Sequence, residues 1–353
     1  MKYPLSALLL TLSTYAFANN SDAVFDTIRT VSNYDTSAQF STIQTACNAS
    51  SSGDSIYVSA SPIVYADFTI NNKKLAIFGP GWAPDKAYNA RVTNCTVTGI
   101  KAAGSELHGL VFTSVLNVSS KVDSLVIIRN KFQTAASYVQ INVSVNNYLF
   151  DGNWFSGSSI YCPNVITTSG FLIRNNIFYR NAETSVNGLR GSNIWFDHNL
   201  WYGPSSGSSD CFINCQSLTL SNNIFVRRNA ANGNSGSTFQ NNITYQTSNN
   251  TPWSSNGNID GGGNVANASP QMVSQGSVNN GIDNPLLNFT ISTGSANSSG
   301  TDGKDMGLMY DADINNWTRS KGPNLPVVVN MVLNNYSVPL GNNIQVTIDA
   351  KSN

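Results

Sequence analysis

"FLIRNNIF", residues 171–178, decides the fold, because the same pattern occurs on both sides of it. Upstream stand "LVIIRNKF" (125–132) and "YLFDGNWF" (148–155); downstream stand "IWFDHNLW" (194–201) and "LTLSNNIF" (218–225). Each reads apolar, any residue, apolar, two residues, Asn, one residue, aromatic. The shared asparagines Asn130, Asn153, Asn176, Asn199 and Asn223 are 23, 23, 23 and 24 residues apart. "STFQNNITY" continues the series at Asn242, and "GGGNV" has a faded copy at Asn264. In "ELHGLVF" upstream, Gly109 is expected at the Asn position.

A fixed period in the low twenties marks a solenoid. Leucine-rich repeats share that length, but the leucine ladder is missing. Helical repeats need longer units. Within each unit the local period is two, with β-branched and aromatic residues, so the units are strands and turns. One unit can hold three short strands, and stacked units then form three parallel sheets around a narrow core. Equivalent residues recur every ~4.8 Å, the strand spacing. Phe132, Phe155, Phe178, Trp201 and Phe225 become an internal aromatic stack. The asparagines become a ladder at a bend, since Asn tolerates bend conformations and satisfies buried backbone groups.

The alternation also assigns an inside and an outside. Positions five and three before each Asn are apolar and face in: Tyr148 and Phe150, Phe171 and Ile173, Ile194 and Phe196, Leu218 and Leu220. The column two before the Asn faces out and reads Ile128, Asp151, Arg174, Asp197, Ser221. Beside it run Leu149, Leu172, Trp195 and Thr219. Acid, base and acid therefore stack on one face next to a tryptophan.

Composition agrees with a neutral, hydrogen-bonding β surface. The chain has 353 residues, is 41% hydrophobic and only 11% charged, less than half the usual share for soluble domains. Lys+Arg and Asp+Glu are 19 each, which argues against a basic nucleic-acid surface. Lys2, the apolar run Leu5–Phe17 and Ala16-Phe17-Ala18 fit a signal peptide over residues 1–18. An exported protein is expected, in the periplasm or outside the cell, with no membrane insertion after cleavage. The five cysteines match no common zinc spacing; a Cys47–Cys95 bridge is conceivable, and Cys211 and Cys215 are too far apart along a strand to be bridged.

These repeats resemble the right-handed parallel β-helix proteins of the pectate-lyase-like superfamily. "FSTIQTACNASSSGDSIYVSASPIVYADFTINNKKLAIFGPGW" (40–82) resembles the opening of exported bacterial members, and "GTDGKDMGLMYD" (300–311) resembles their closing segment. The resemblance implies an all-β, right-handed parallel β-helix over residues 35–310, behind a lead at 19–34. An N-terminal helical cap at about 38–50 would turn Ile43, Ala46 and Cys47 onto the open end of the core. A β tail at 311–353, with "PNLPVVVNMVLNN" and "NIQVTIDA" as strands, is expected to cap or pack against the last coils.

Two functions follow from the outer face. A surface ion-pair ladder alone would be worth about 0–1 kcal/mol per pair. A carbohydrate groove uses the tryptophan as well: Trp195 would stack on a sugar ring, with Asp151, Tyr202, Arg180 and Asp210 as further contacts and Arg190 near the same edge. The first expectation is thus a monomeric protein that binds extracellular polysaccharide, without cofactor or nucleic acid. The alternative is a polysaccharide lyase acting on a uronate-containing glycan by β-elimination. "NIWFDHN" (193–199) is similar to the "vWiDH" segment of family 1 pectate lyases. That similarity implies catalytic roles for Arg174, Asp197, Arg227 and Arg228. Arg174 or a bound cation would neutralise the uronate, and Arg227, Arg228 or His198 would take the C5 proton. Asn214 stands where a second acid is expected, which weakens a calcium site. Asp197 and His198, adjacent on a strand, are expected on opposite faces, with His198 beside the bend. His108 is expected at the corresponding bend of an earlier coil.

Overall fold

The computed structural model describes residues 27–82, 88–180, 184–204, 209–284, 287–309, 327–333 and 346–351. The expected signal peptide lies outside them. The chain forms a parallel β-solenoid of about nine turns with very little helix. One stack is a sheet of eight parallel strands, from Arg91–Val92 to Ile243–Tyr245. Ser209–Asp210 pairs with Arg228–Asn229 as a separate parallel ribbon, and most of the remaining strands belong to a 17-stranded sheet that wraps the other sides. It is continuous because the long strands Ile160–Arg174 and Val186–Asp197 run through the bends that would otherwise divide it.

The repeat aligns as the period requires. Asp151 pairs with Arg174, Arg174 with Asp197, and Asp197 with Ser221. Phe112, Phe132, Phe155, Phe178, Trp201 and Phe225 stack with centroids 4.7–4.9 Å apart, matching the strand spacing. Tyr148, Phe150, Phe171, Ile173, Ile194, Phe196, Leu218 and Leu220 are all buried in the same core.

The asparagine ladder runs unbroken from Asn130 to Asn264. The Asn176 Oδ1 accepts from the Asn153 backbone N–H at 2.8 Å and from the Asn153 Nδ2 at 3.0 Å. Its own Nδ2 donates to the Phe150 carbonyl at 3.0 Å and to the Asn199 Oδ1 at 3.0 Å. The same pattern repeats at Asn153, Asn199, Asn223 and Asn242. Each buried amide thus satisfies a bend that no strand pairing reaches.

The residue before each Asn turns the chain. Arg129, Gly152, Asn175, His198, Asn222, Asn241 and Gly263 all have φ between 49° and 69°, the left-handed region. Gly and Asn dominate this column because they adopt that conformation at least cost. Gly109, expected at the Asn position, belongs to this column instead (φ 62°), and the ladder position of that coil is held by Leu110, whose N–H donates to the Asn130 Oδ1 at 2.9 Å. His108 accordingly falls in the outward column with Ile128, not at the bend, and stacks on Phe78.

At the N-terminal end, helix α1 (Ile43–Ala49) packs Ile43, Ala46 and Cys47 into the core. Thr42 caps it by accepting from the Thr45 N–H. The strand Ile28–Val31, inside the expected lead, already pairs in parallel with Ser55–Val58. Residues 265–309 do not make another strand stack. They fold back along the eight-stranded sheet and cover its outer face, where Trp154, Ile177, Leu200, Tyr202, Ile224 and Val226 meet Met272, Phe289 and Met306. The Trp154 Nε1 donates to the Asp283 carboxylate at 3.1 Å within this second core. Val327–Leu333 and Val346–Lys351 are strands, paired antiparallel with each other. All five cysteines are free and buried, Cys47 and Cys95 among them. No described helix is long and apolar enough to cross a membrane.

Asn176→Ala removes an acceptor from two donors below it and a donor from the rung above. It should lower the unfolding free energy in urea by about 1–3 kcal/mol or more. Thr167→Ala, exposed on the outer surface, should change it by less than about 0.5 kcal/mol. Equal effects from the two would refute a structural ladder.

Candidate functional site

The outward columns divide the expected site residues into two groups. Asp151, Arg174, Trp195 and Asp197 share one face of the 17-stranded sheet. Trp195 lies between Leu172 and Thr219 on neighbouring strands and is 40% exposed, an unusual exposure for so large a side chain. Arg174 donates from Nε to the Asp151 Oδ2 at 2.8 Å. The stack of acid, base and acid exists, but the ion pair forms on one side only. No salt bridge joins Arg174 to Asp197 among the described residues.

Asp197 is engaged elsewhere. Its Oδ1 accepts from the Ser221 hydroxyl at 2.7 Å and the Asn222 amide at 2.8 Å, and its Oδ2 lies 3.1 Å from the His198 Nδ1. Asp197 and His198 therefore do meet, contrary to the strand-alternation argument. His198 sits in the left-handed bend, where alternation no longer applies. Its imidazole is buried, with Nε2 3.6 Å from the Asp302 Oδ1. Asn175, Asn222 and Asn241 of the same bend column dock the returning segment 299–309. Asn222 accepts from the Thr301 N–H at 2.7 Å, Asn241 donates to the Ser299 carbonyl at 2.8 Å, and Asn175 accepts from the Met309 N–H at 2.9 Å. The motif "GTDGKDMG" thus lies along the bend, and His198 is one of the residues it covers. The Gly/Asn preference just before the ladder was the readable signal for this docking row.

Electrostatics distinguish the two acids. Burial would raise the Asp197 carboxyl, but hydrogen bonds from His198, Ser221 and Asn222 outweigh it and hold Asp197 below the usual carboxylate range. Burial also raises Asp151, and there the Arg174 guanidinium only partly offsets it, so Asp151 stays above its ordinary value.

The second group lies elsewhere. Tyr202 is outward on the eight-stranded sheet but buried under residues 265–309, with its hydroxyl donating to the Ile282 carbonyl at 3.3 Å. Arg180 and Arg227 keep their shared column, yet Arg180 is buried and donates to the Gly157 carbonyl, while Arg227 donates to the Asn279 carbonyl. Arg228, expected on the surface, is fully buried and donates from Nη2 to the Asp210 carbonyl at 2.8 Å. The Asp210 carboxylate accepts from Asn229 at 3.3 Å. None of these five joins the Trp195 face. The turn that separates the two sheets carries them round to other sides, a rotation that strand alternation alone does not count.

Among the described residues no three His, Cys, Asp or Glu side chains converge as a metal site. Calcium needs several hard oxygens. On the Trp195 face the acids Asp151 and Asp197 flank an arginine and are already hydrogen-bonded, so the described residues there do not fit it.

The fold defines the class: this is a parallel β-solenoid. Among solved structures it is similar to a rhamnogalacturonan lyase, at 12% identity and TM-score 0.29, over 63% of this chain and 69% of that one. It is also similar to the pectate lyase Pel9A, at 13% identity and TM-score 0.32, over 81% of this chain and 94% of that one. The likeness is one of fold alone. No family model and no curated protein sequence matches the chain.

The two acids should titrate stability in opposite senses. Asp197 has a depressed folded pKa, so its contribution is present above the unfolded value of about 4 and is lost as pH falls through the folded one. Asp197→Asn should therefore flatten the acid limb of stability. Asp151 has a raised folded pKa, so stability is lost as pH rises from about 4 through that value. Asp151→Asn should relieve that loss at neutral pH. Urea unfolding from pH 3 to 7 reads both; parallel curves for the two variants would contradict the assignment.

Proposed function

We propose that the Trp195 face binds polysaccharide and that the protein is a binding solenoid of the extracellular or periplasmic space. The observation that carries this reading is the exposed indole of Trp195 in a flat row with Leu172, beside a half-exposed Arg174. An aromatic platform gives the apolar faces of sugar rings a stacking surface, and adjacent guanidinium and hydroxyl groups suit their hydroxyls. Thr219 and Thr238 extend the row with neutral hydrogen-bonding groups.

Binding without cleavage is favoured over the lyase alternative by where the bases are. Elimination needs a group to take the C5 proton and a positive group to neutralise the uronate, both at one sugar. Arg228 is buried in a backbone contact, and Arg227 and His198 are held by the 265–309 segment or beneath it. Arg174 already has Asp151 as its counter-charge.

Trp195→Ala should weaken binding to a retained polysaccharide roughly tenfold or more, read by affinity electrophoresis, with an unchanged unfolding midpoint. Unaltered mobility shifts for that variant would remove the platform from the argument. Absorbance from new unsaturated ends after incubation with pectin, alginate or glycosaminoglycans would instead establish the lyase.

A further inference from the structure

Arg190 lies on the same strand as Trp195, five residues earlier, round the bend at Gly191–Asn193. It faces outward in a row with Thr167, Gln216 and Ser235 on successive strands. Here the outer surface opens into a cavity of about 390 Å³. Arg190, Asn214, Gln216, Asn234, Ser235 and Asn256 are the polar residues that line it, and no Asp or Glu is among the lining residues. The Arg190 Nε donates to the Asn214 carbonyl at 2.7 Å, made available because Asn214 adopts a left-handed conformation (φ 52°). That bond holds the side chain at the hollow while its two Nη groups have no hydrogen bond to any described residue. Arg190 makes no salt bridge among them either, unlike Arg174, which is matched by Asp151.

We propose that this cavity is an anion subsite, taking the carboxylate or sulfate of an acidic sugar on the two Nη groups of Arg190. The ligand scaffold rests on the polysaccharide reading; the preference for negative charge does not. Around Trp195 the charge is balanced at Asp151–Arg174, and Asp197 adds a further carboxylate, so an acidic group is disfavoured there. At Arg190 an oriented, uncompensated guanidinium sits in a neutral amide-lined hollow. Two oxygens of a carboxylate or a sulfate match its paired donors, and the exposed Gln216 amide and Ser235 hydroxyl can serve the sugar's hydroxyls. The two sites together would set a glycan across the strand, with a neutral ring on the tryptophan and an acidic one beyond the bend.

Calorimetric titration of the whole protein with oligogalacturonate, a sulfated galactan oligosaccharide and a neutral galactan oligosaccharide tests this. At least one acidic probe should bind about tenfold or more tighter than the neutral one, and the tighter of the two identifies carboxylate or sulfate as the partner. Arg190→Gln should bring acidic probes to the level of the neutral probe, and Arg190→Lys should restore only part, since an ammonium lacks the fork. Trp195→Ala should weaken all three. Wild-type affinity in Arg190→Gln, with loss in Trp195→Ala, would overturn the anion subsite and leave the platform standing. Failure of the wild type to bind any probe would overturn both. A thermal midpoint for Arg190→Gln equal to wild type confirms that the loss is not one of folding.

Discussion

Each buried asparagine from Asn130 to Asn242 has to meet the backbone and the amide of its neighbour one strand spacing away. A solenoid bend cannot use sheet pairing to satisfy its polar groups, and leaving them unmet in the core costs on the order of 1–3 kcal/mol each. The ladder answers them with the next asparagine, because one amide reaches across the strand spacing that backbone pairing sets. Once that spacing is set, the rings from Phe112 to Phe225 stack at the same interval, and each outward residue stands directly over its counterpart. Trp195, Arg174 and Asp151 are neighbours because of this constraint.

The bend beside the ladder has a second role. Its left-handed residues point side chains away from both sheets, and the chain from Ser299 to Met309 returns along them. Docking that segment closes off the eight-stranded sheet, whose outer face would otherwise be an exposed apolar surface of Trp154, Leu200 and Tyr202. One side of the solenoid is thereby given to internal packing. No described segment covers the Trp195 face in the same way, and that asymmetry distinguishes the two surfaces among the described residues.

Charge is distributed in the same manner. In a chain with 11% charged residues, several arginines are consumed by the scaffold: Arg180, Arg227 and Arg228 hold backbone carbonyls, and Arg174 pairs with Asp151. Arg190 is held by one backbone carbonyl and has no salt-bridge partner among the described residues. The difference lies in depth. A guanidinium under another segment must find carbonyl partners, whereas one at an open hollow can keep its donors for a solvent-borne anion.

The period of the asparagines, read with the strand alternation, was sufficient to define a stacked β-solenoid, its aromatic core, its ladder and the pairing of Asp151, Arg174, Asp197 and Trp195. These are consequences of a repeat whose geometry is local and nearly one-dimensional. Tertiary structure alone decided what lies over each face. Tyr202 follows the same repeat as Trp195, yet it is buried by residues 265–309, a segment with no copy of the repeat. The contact of Asp197 with His198 depended on a single residue of positive φ, and a period-two rule has no place for it. Repetition tells which side chains share a column; coverage by a distant, non-repeating stretch of chain determines which columns meet solvent.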